Sequence, residues 1–468
     1  MHDMGSGTPR GPSRRSLVHS REPNQPRRDP TVYDRPGRSV GKPMSVRANR
    51  SAVCFLRNRG EVLLVRPRGS DGEPGRWDGV ADTISDDPQR GARNAIRSVV
   101  GPENDCSPVR TGEPFPIEDG REGSRESFPF LFECDSRAVE PGDEVVEFEW
   151  VPPTEIRRRE TVPGLRRAYE RVAPTVETVA ADTDHGSAWL SVRALAVLRD
   201  RAGGLATADD PSGEHEWDDL VALAADLRAA RPSMAVVRNR VNRAMATANE
   251  SGTAEAVERA AIDGIERAFE ADAAAAREAA ALLSGTVVTL SRSGTVLDAL
   301  RTADGTSVIV GESRPAREGV GVAEALADDR SVTLAVDAAL PHLLATRPVE
   351  CVLVGADTVL PDGSIVNKVG TRGLALAAAH EGIPTYAVTS SDKISYDGDP
   401  DFEDGARDAV YDGEETIDVA NPTFDRTPAD TVTVVTEDGP LAPSDIADRA
   451  DELAGLADRT KDTSPDPE

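Results

Sequence analysis

From Ser51 the apolar run SAVCFL, the polar RNRG and the apolar EVLLVRPR predict two strands joined by a tight turn at Asn58–Gly60. After a loop around Gly72–Gly79, the stretch DDPQRGARNAIRSVVG predicts a helix entered at Asp86–Pro88 and stopped at Gly101, with proline in its first turn. The runs SFPFLFECDS and EVVEFEWVP add strand character, and the unit closes near Pro153. From Glu155 to Ser284 apolar residues recur every three or four positions, which predicts helices almost throughout. From Gly285 short β-branched runs (GTVVTL, TSVIVG, SVTLAV, CVLVGAD, TYAVTS, TVTVVT) alternate with helical ones. That is the rhythm of a doubly wound parallel sheet, in which ligands sit beyond the carboxyl ends of the strands. The expected class is a multidomain α/β protein. Its parts are an α+β unit over 44–153, a helical middle domain over 154–284, a Rossmann-like domain over 285–455 and a disordered tail over 456–468.

Charge changes this picture. The 468 residues carry 54 basic and 82 acidic side chains, a net charge of −28, and only Lys42, Lys368, Lys393 and Lys461 are lysines. Phosphate backbones would be repelled, so nucleic acid is not an expected partner. Such an acidic composition suits a cytoplasm of molar salt, where the screening length shrinks to about 3 Å. Residues 1–43 depart from it, with eight Arg and Lys42 against four acids, and their Pro, Gly and Arg content predicts disorder. They read as a basic arm or as sequence upstream of a true start at Met44, and the second reading is preferred. No run approaches the roughly 18 apolar residues of a membrane span, and no secretory signal is visible, which places the expected protein in the cytoplasm. Cys54, Cys106, Cys134 and Cys351 lie far apart without metal-site spacing, so free buried thiols are expected.

The stretch GRWDGVADTISDDPQRGARNAIRSVVG resembles the Nudix fold in its GRWDGV lead-in, its DDP turn and its helix ending in VVG. Active Nudix enzymes follow G-x5-E-x7-R-E-x-x-E-E-x-G, whose glutamates hold magnesium, a hard cation that needs oxygen ligands. With one extra residue in the spacing, Gly79 matches the opening glycine and Ser85 takes the place of the first glutamate. Asn94, Ala95, Ser98 and Val99 take the R-E and E-E places, while Arg93 and Arg97 add positive charge. The resemblance therefore implies a degenerate Nudix domain over 44–153 without hydrolysis, and no metal or cofactor is expected.

The segments RPSMAVV (231–237), TLSRSGTV (289–296), GESRPAREG (311–319), GADTVLPDGSIVNKVGT (355–371) and NPTFDRTP (421–428) form a second constellation. Together they resemble the family of the alpha, beta and delta subunits of translation initiation factor 2B, ribose-1,5-bisphosphate isomerase and methylthioribose-1-phosphate isomerase. Bottom-up, Ser291, Ser293 and Thr295 lie where a strand gives way to a helix N-terminus, a natural seat for phosphate. Arg231 and Arg314 can add charge-assisted hydrogen bonds. Asp357 follows the strand CVLVG, and Asn367 and Lys368 come ten and eleven residues later.

The resemblance implies that Asp357 matches the isomerases' proton-moving aspartate, whereas their cysteine falls on Ser291 and the preceding histidine on Leu290. A thiol with pKa near 8.5 exchanges protons at neutrality, while a serine needs an activating base, and the sequence shows none nearby. Their early R-G-A motif has His185, Gly186 and Ser187 as its counterpart. The expected function is therefore regulatory binding of a phosphorylated sugar or nucleotide. In that reading Arg231, Ser291, Ser293, Arg314, Asn367 and Lys368 hold the phosphate, and Asp357 meets the sugar hydroxyls. The alternative is an aldose–ketose isomerase that uses Asp357, and a Nudix hydrolase ranks last. Assembly as a homodimer or larger ring is implied by the resemblance.

Overall fold

The computed structural model describes residues 49–69, 75–84, 87–101, 106–119, 123–208, 216–400, 402 and 404–461. Four features expected from sequence lie outside these: the leader 1–43, the glutamate place at Ser85, much of the loop after residue 208, and the end of the tail.

The first sheet is built from β1 (Asn49–Asn58), β2 (Glu61–Pro67), β3 (Val80–Thr83), β4 (Cys106–Thr111), β5 (Phe115–Asp119), β6 (Gly123–Cys134) and β7 (Val145–Val151). Its strand order is β4-β6-β1-β2-β7, with β3 added to β1 and β5 to β6. The β1–β2 hairpin turns on Arg59 (φ 50°) and Gly60 (φ 81°), two left-handed residues that match the twist of the flanking strands. Helix α1 (Pro88–Val100) starts where Asp87 caps the Gln89 amide at 3.0 Å, and it lays Ala92, Ala95, Ile96 and Val99 on one sheet face. The other face is covered by Ile156 and by Leu165, Ala168 and Tyr169, the last three from α2 (Leu165–Glu170), so residues after Pro153 share this core.

Cysteine pairing departs from expectation. Cys106 and Cys134 face each other across the antiparallel β4–β6 register with Cα atoms 4.1 Å apart and form a disulfide. Pairing of strands 28 residues apart brings them together, which linear spacing does not reveal. Cys54 and Cys351 are the free, buried thiols.

The middle of the chain holds α3 (Val176–Ala181), α4 (Ser187–Ala206), α5 (Glu216–Ala230), α6 (Ala235–Ala248) and α7 (Ala254–Ala280), packed around Leu195, Val237, Val241 and Ile265. The remaining strands are β8 (Thr286–Thr289), β9 (Ser307–Gly311), β10 (Val332–Ala335), β11 (Cys351–Gly355), β12 (Thr358–Val359), β13 (Ile365–Lys368), β14 (Thr385–Val388), β15 (Phe424–Thr427), β16 (Thr433–Thr436) and β17 (Gly439–Pro440). Between them run α8 (Gly294–Thr302), α9 (Glu318–Leu326), α10 (Leu340–Thr346) and α11 (Thr371–Glu381), and α12 (Pro443–Lys461) follows. The second sheet has the order β10-β9-β8-β11-β14-β16-β17 and is parallel up to β16. Strands after β8 step outward in one direction and strands after β11 in the other, so a crevice opens between β8 and β11. A small antiparallel sheet, β12-β13-β15, stands beside it. No described helix is long and apolar enough to cross a membrane.

Charged side chains fasten the first sheet to the helices. Arg199, fully buried, donates from Nη1 to the Gly60 carbonyl at 2.6 Å, and Arg158 pairs with Glu258. Glu133 receives Arg57 at 2.7 Å and Arg193 at 3.6 Å, both arginines being 3% exposed. Burial, with Arg57 beside it, pulls the Arg193 guanidinium down to about 9, and Glu133 opposes that shift. Removing this carboxylate leaves two buried guanidiniums facing each other, so Glu133→Ala should cost on the order of 3 kcal/mol in chemical denaturation. A change within about 0.5 kcal/mol, the usual size for surface sites, would contradict that role.

Burial also raises the Asp78 carboxyl to about 7, against the lowering effects of the Gly79 amide and Arg125. A carboxyl whose folded value is raised favours the fold at low pH and loses that contribution as pH climbs from about 4 through 7. Asp78→Asn should flatten this part of the stability–pH curve relative to the wild type. Parallel curves for the two proteins would show that Asp78 does not titrate there.

Candidate functional site

Each strand end at the crevice supplies part of the site. Beyond β8 the chain turns sharply at Ser291 (φ 65°), and Ser293 caps α8 by accepting from the Val296 amide. Beyond β9, Ser313 (φ 63°) and Arg317 (φ 58°) are also left-handed. Three non-glycine residues in that strained region on two neighbouring strand ends are held there by the surrounding contacts. Asp337 supplies some of these, accepting the Ser313 and Arg314 amides at 2.7 Å each. The Ser291 amide donates to Ser313 Oγ at 2.6 Å, which ties the two turns together. Close approach is needed as well, since a Cβ on Gly319 would run into the Gly311 carbonyl oxygen.

All seven residues singled out in the sequence, Arg231, Ser291, Ser293, Arg314, Asp357, Asn367 and Lys368, line one cavity of about 1710 Å³. The β1–β2 turn (Asn58, Arg59, Gly60, Glu61) and Glu133 line it too, so the N-terminal sheet forms part of its wall.

Five polar arrangements define the chemistry. Ser291 Oγ donates to Glu318 Oε2 at 3.0 Å, and the other oxygen of Glu318 meets Lys368 Nζ at 3.1 Å. Asp357 holds its backbone through its amide to the Val366 carbonyl, and its Oδ1 accepts from Ser187 Oγ at 2.7 Å. Lys393, buried on the cavity wall, donates from Nζ to the Ala356 carbonyl at 2.8 Å, next to Asp357. Burial lowers its amine from the ordinary lysine value and the charge of Asp357 opposes this. Asn367 donates to Thr371 Oγ1 at 2.9 Å, which in turn donates to the Lys368 carbonyl. Arg231 donates from Nη1 to the carbonyls of Ala180 and Asp182, while Arg314 is exposed at the mouth.

Glu318 corrects the expectation that Ser291 lacks a neighbouring base. It stands first in α9, where a carboxylate is favoured by the helix N-terminus, and it belongs to the GESRPAREG segment already picked out. Lys393 was also within reach, as one of four lysines and placed just after a strand end. The Ser187–Asp357 contact joins residues 170 apart and carries no local signal.

On α1, Arg93, Asn94, Arg97 and Ser98 are exposed while Ala95 and Val99 pack in the core. Two of the four places where the Nudix pattern has R-E and E-E therefore face the sheet, not solvent.

Residues 183–443 match the family model described as initiation factor 2 subunit family. The ribose 1,5-bisphosphate isomerase of Haloterrigena turkmenica is 30% identical over 319 residues, covering 61% of this chain and 95% of that protein. Methylthioribose-1-phosphate isomerase 1 of Trypanosoma cruzi is 35% identical over 159 residues, which is 29% of this chain and 41% of that isomerase. Against that relative the match thus spans about two fifths of its length. Among solved structures, the Pyrococcus horikoshii translation initiation factor eIF-2B superposes with a TM-score of 0.50 at 26% identity, over 58% of this chain and 97% of that one.

The tight β9–α9 packing gives a direct check. Gly319→Ala should destabilise the protein by roughly 2 kcal/mol or more, since the new methyl must displace backbone and not a flexible side chain. An unchanged unfolding midpoint would mean that α9 is free to shift, and Glu318 with it.

Proposed function

The chain belongs to the initiation factor 2 subunit family, and from that premise we propose that its cavity binds a pentose phosphorylated on C1 and converts this aldose to the ketose. The observation that carries this reading is the match along 95% of a ribose 1,5-bisphosphate isomerase, together with Asp357 and a hydrogen-bonded Ser291–Glu318 pair on one cavity. Ribose 1-phosphate is the unit common to the sugars after which both isomerase relatives are named.

The chemistry balances with the groups at hand. As the bond from C1 to the ring oxygen breaks, that oxygen takes a proton by way of the Ser291 hydroxyl, with Glu318 as its proton-exchanging partner. Asp357 accepts the proton leaving C2, which yields an enol phosphate between C1 and C2. Asp357 returns its proton to C1, and the C2 hydroxyl proton passes to Ser291, relayed by Glu318, to replace the one given to the ring oxygen. The product is the ketose phosphate, with no net change in protons or electrons. A positioned acid–base pair contributes typically 10²–10⁴-fold to such a step. Lys368 and Arg314 supply positive charge for the phosphate. The N-terminal unit, read as a Nudix-like fold without hydrolysis, serves in this account as scaffold and cavity wall.

A second reading, a regulatory protein that binds the sugar phosphate without turnover, draws on the serine at 291 where the isomerases carry cysteine. Phosphorus NMR with ribose 1,5-bisphosphate in molar potassium chloride separates the two. Growing ketose-bisphosphate resonances that fall at least about a hundredfold in rate in Asp357→Asn are expected. Line broadening without product would favour the regulatory reading, and an unperturbed ligand would sink both.

Lys368 gives an independent check on binding. Its loss in Lys368→Met should weaken ribose 1,5-bisphosphate by about tenfold, corresponding to about 1.4 kcal/mol. Glu318→Gln, which removes a negative charge beside the ammonium, should not weaken the phosphate contact. Titration calorimetry reads both, and equal affinities for wild type and Lys368→Met would place the phosphate elsewhere.

A further inference from the structure

We propose that Ser187, at the start of α4, is the positioning residue for Asp357, holding one carboxylate oxygen so that the other is presented to the substrate. The inference rests on the isomerase reading above.

Ser187 is 1% exposed and its Oγ donates to Asp357 Oδ1 at 2.7 Å. A serine hydroxyl has one proton to give, and here it goes to a carboxylate that lines the ligand cavity. The bond crosses from the helical part of the chain to the end of β11, so it fixes the carboxylate's rotation from outside its own strand. Asp357 is already fixed in its backbone by the amide bond to Val366, and the side-chain torsion is what remains to be set.

The donor is itself held in place. Arg231 bonds the Asp182 carbonyl at 2.8 Å and Arg292 the Asp184 carbonyl at 2.7 Å, one on each side of Thr183. The Asp182 carboxylate accepts the His185 amide at 3.0 Å and pairs with His185 Nδ1 at 2.9 Å. The His185 ring stacks on Trp189, in the first turn of α4, with centroids 3.9 Å apart. The strap 182–186 is therefore tied at several points and delivers Ser187 to one location. This gives Arg231 a use that a phosphate-binding role alone does not account for, and Arg292 shares it.

A hydrogen bond to an ionised group is worth about 1.5–3 kcal/mol, or roughly 10- to 100-fold in a rate that depends on it. Ser187→Ala should therefore lower kcat for ribose 1,5-bisphosphate by at least about tenfold. Its KM should stay within about twofold of the wild type, because the phosphate contacts lie on other residues. Ser187→Thr, which keeps the hydroxyl, should recover most of the loss. A merely structural hydroxyl would lower the unfolding midpoint without this split between kcat and KM.

The outcomes divide cleanly. Wild-type turnover with Ser187→Ala within twofold of it in kcat overturns the positioning role alone. Absence of turnover in the folded wild type overturns the isomerase reading and this role together. If Ser187→Ala fails to fold, Ser187→Cys keeps the volume with a weaker donor, and wild-type kcat in that variant would equally overturn the proposal.

Discussion

The site is assembled where the neighbouring parallel strands β8, β9 and β11 end at one edge of the same sheet. Because β8 and β11 are adjacent while the chain leaves them in opposite directions, their connections splay apart and leave a crevice. Ser291 and Asp357 stand on its two sides. The sharp turns after β8 and β9 then force Ser291, Ser313 and Arg317 into left-handed backbone. That conformation persists because Asp337 and Ser313 occupy the freed amides. Glu318 reaches Ser291 only because Gly319 lets α9 press onto the end of β9.

The second dependence is electrostatic. In a chain of net charge −28, three cations of the site are each committed to particular oxygens. Lys368 meets Glu318, Lys393 meets the Ala356 carbonyl, and Arg231 meets the strap 182–186. The pairing keeps lone cations from being buried without partners, which would otherwise cost several kcal/mol each. In the proposed function, an incoming phosphate competes with Glu318 for Lys368. The N-terminal sheet enters the same arrangement through Arg199 and Gly60, which set the β1–β2 turn against the helices and at the cavity rim.

Much of this was legible in the sequence, for physical reasons that differ by level. The two apolar runs around RNRG and the β-branched runs after Gly285 have the periods of strands, and the structure places β1, β2, β8, β9, β11 and β14 on them. Ser291 and Asp357 stand just past apolar strand runs, where the strand-end rule looks for ligand contacts, and they and Arg314 lie in segments that carry the family resemblance. What the sequence withheld are pairings between distant segments. The Cys106–Cys134 disulfide depends on the β4–β6 register, and the Ser187–Asp357 bond depends on where α4 docks. Neither has a local signature. Glu318 is a different case: it lies in the GESRPAREG segment, but its reach to Ser291 depends on how closely α9 packs onto β9, which the segment does not reveal.

The central claim is that the crevice between β8 and β11 holds a C1-phosphorylated pentose with its C2 beside Asp357. The most direct test is a crystal structure of the Asp357→Asn protein soaked with ribose 1,5-bisphosphate. A phosphate within hydrogen-bonding distance of Lys368 and the start of α8 is expected, with C2 of the sugar nearest residue 357. A ligand bound elsewhere in the cavity, or with its sugar turned away from that residue, would contradict it.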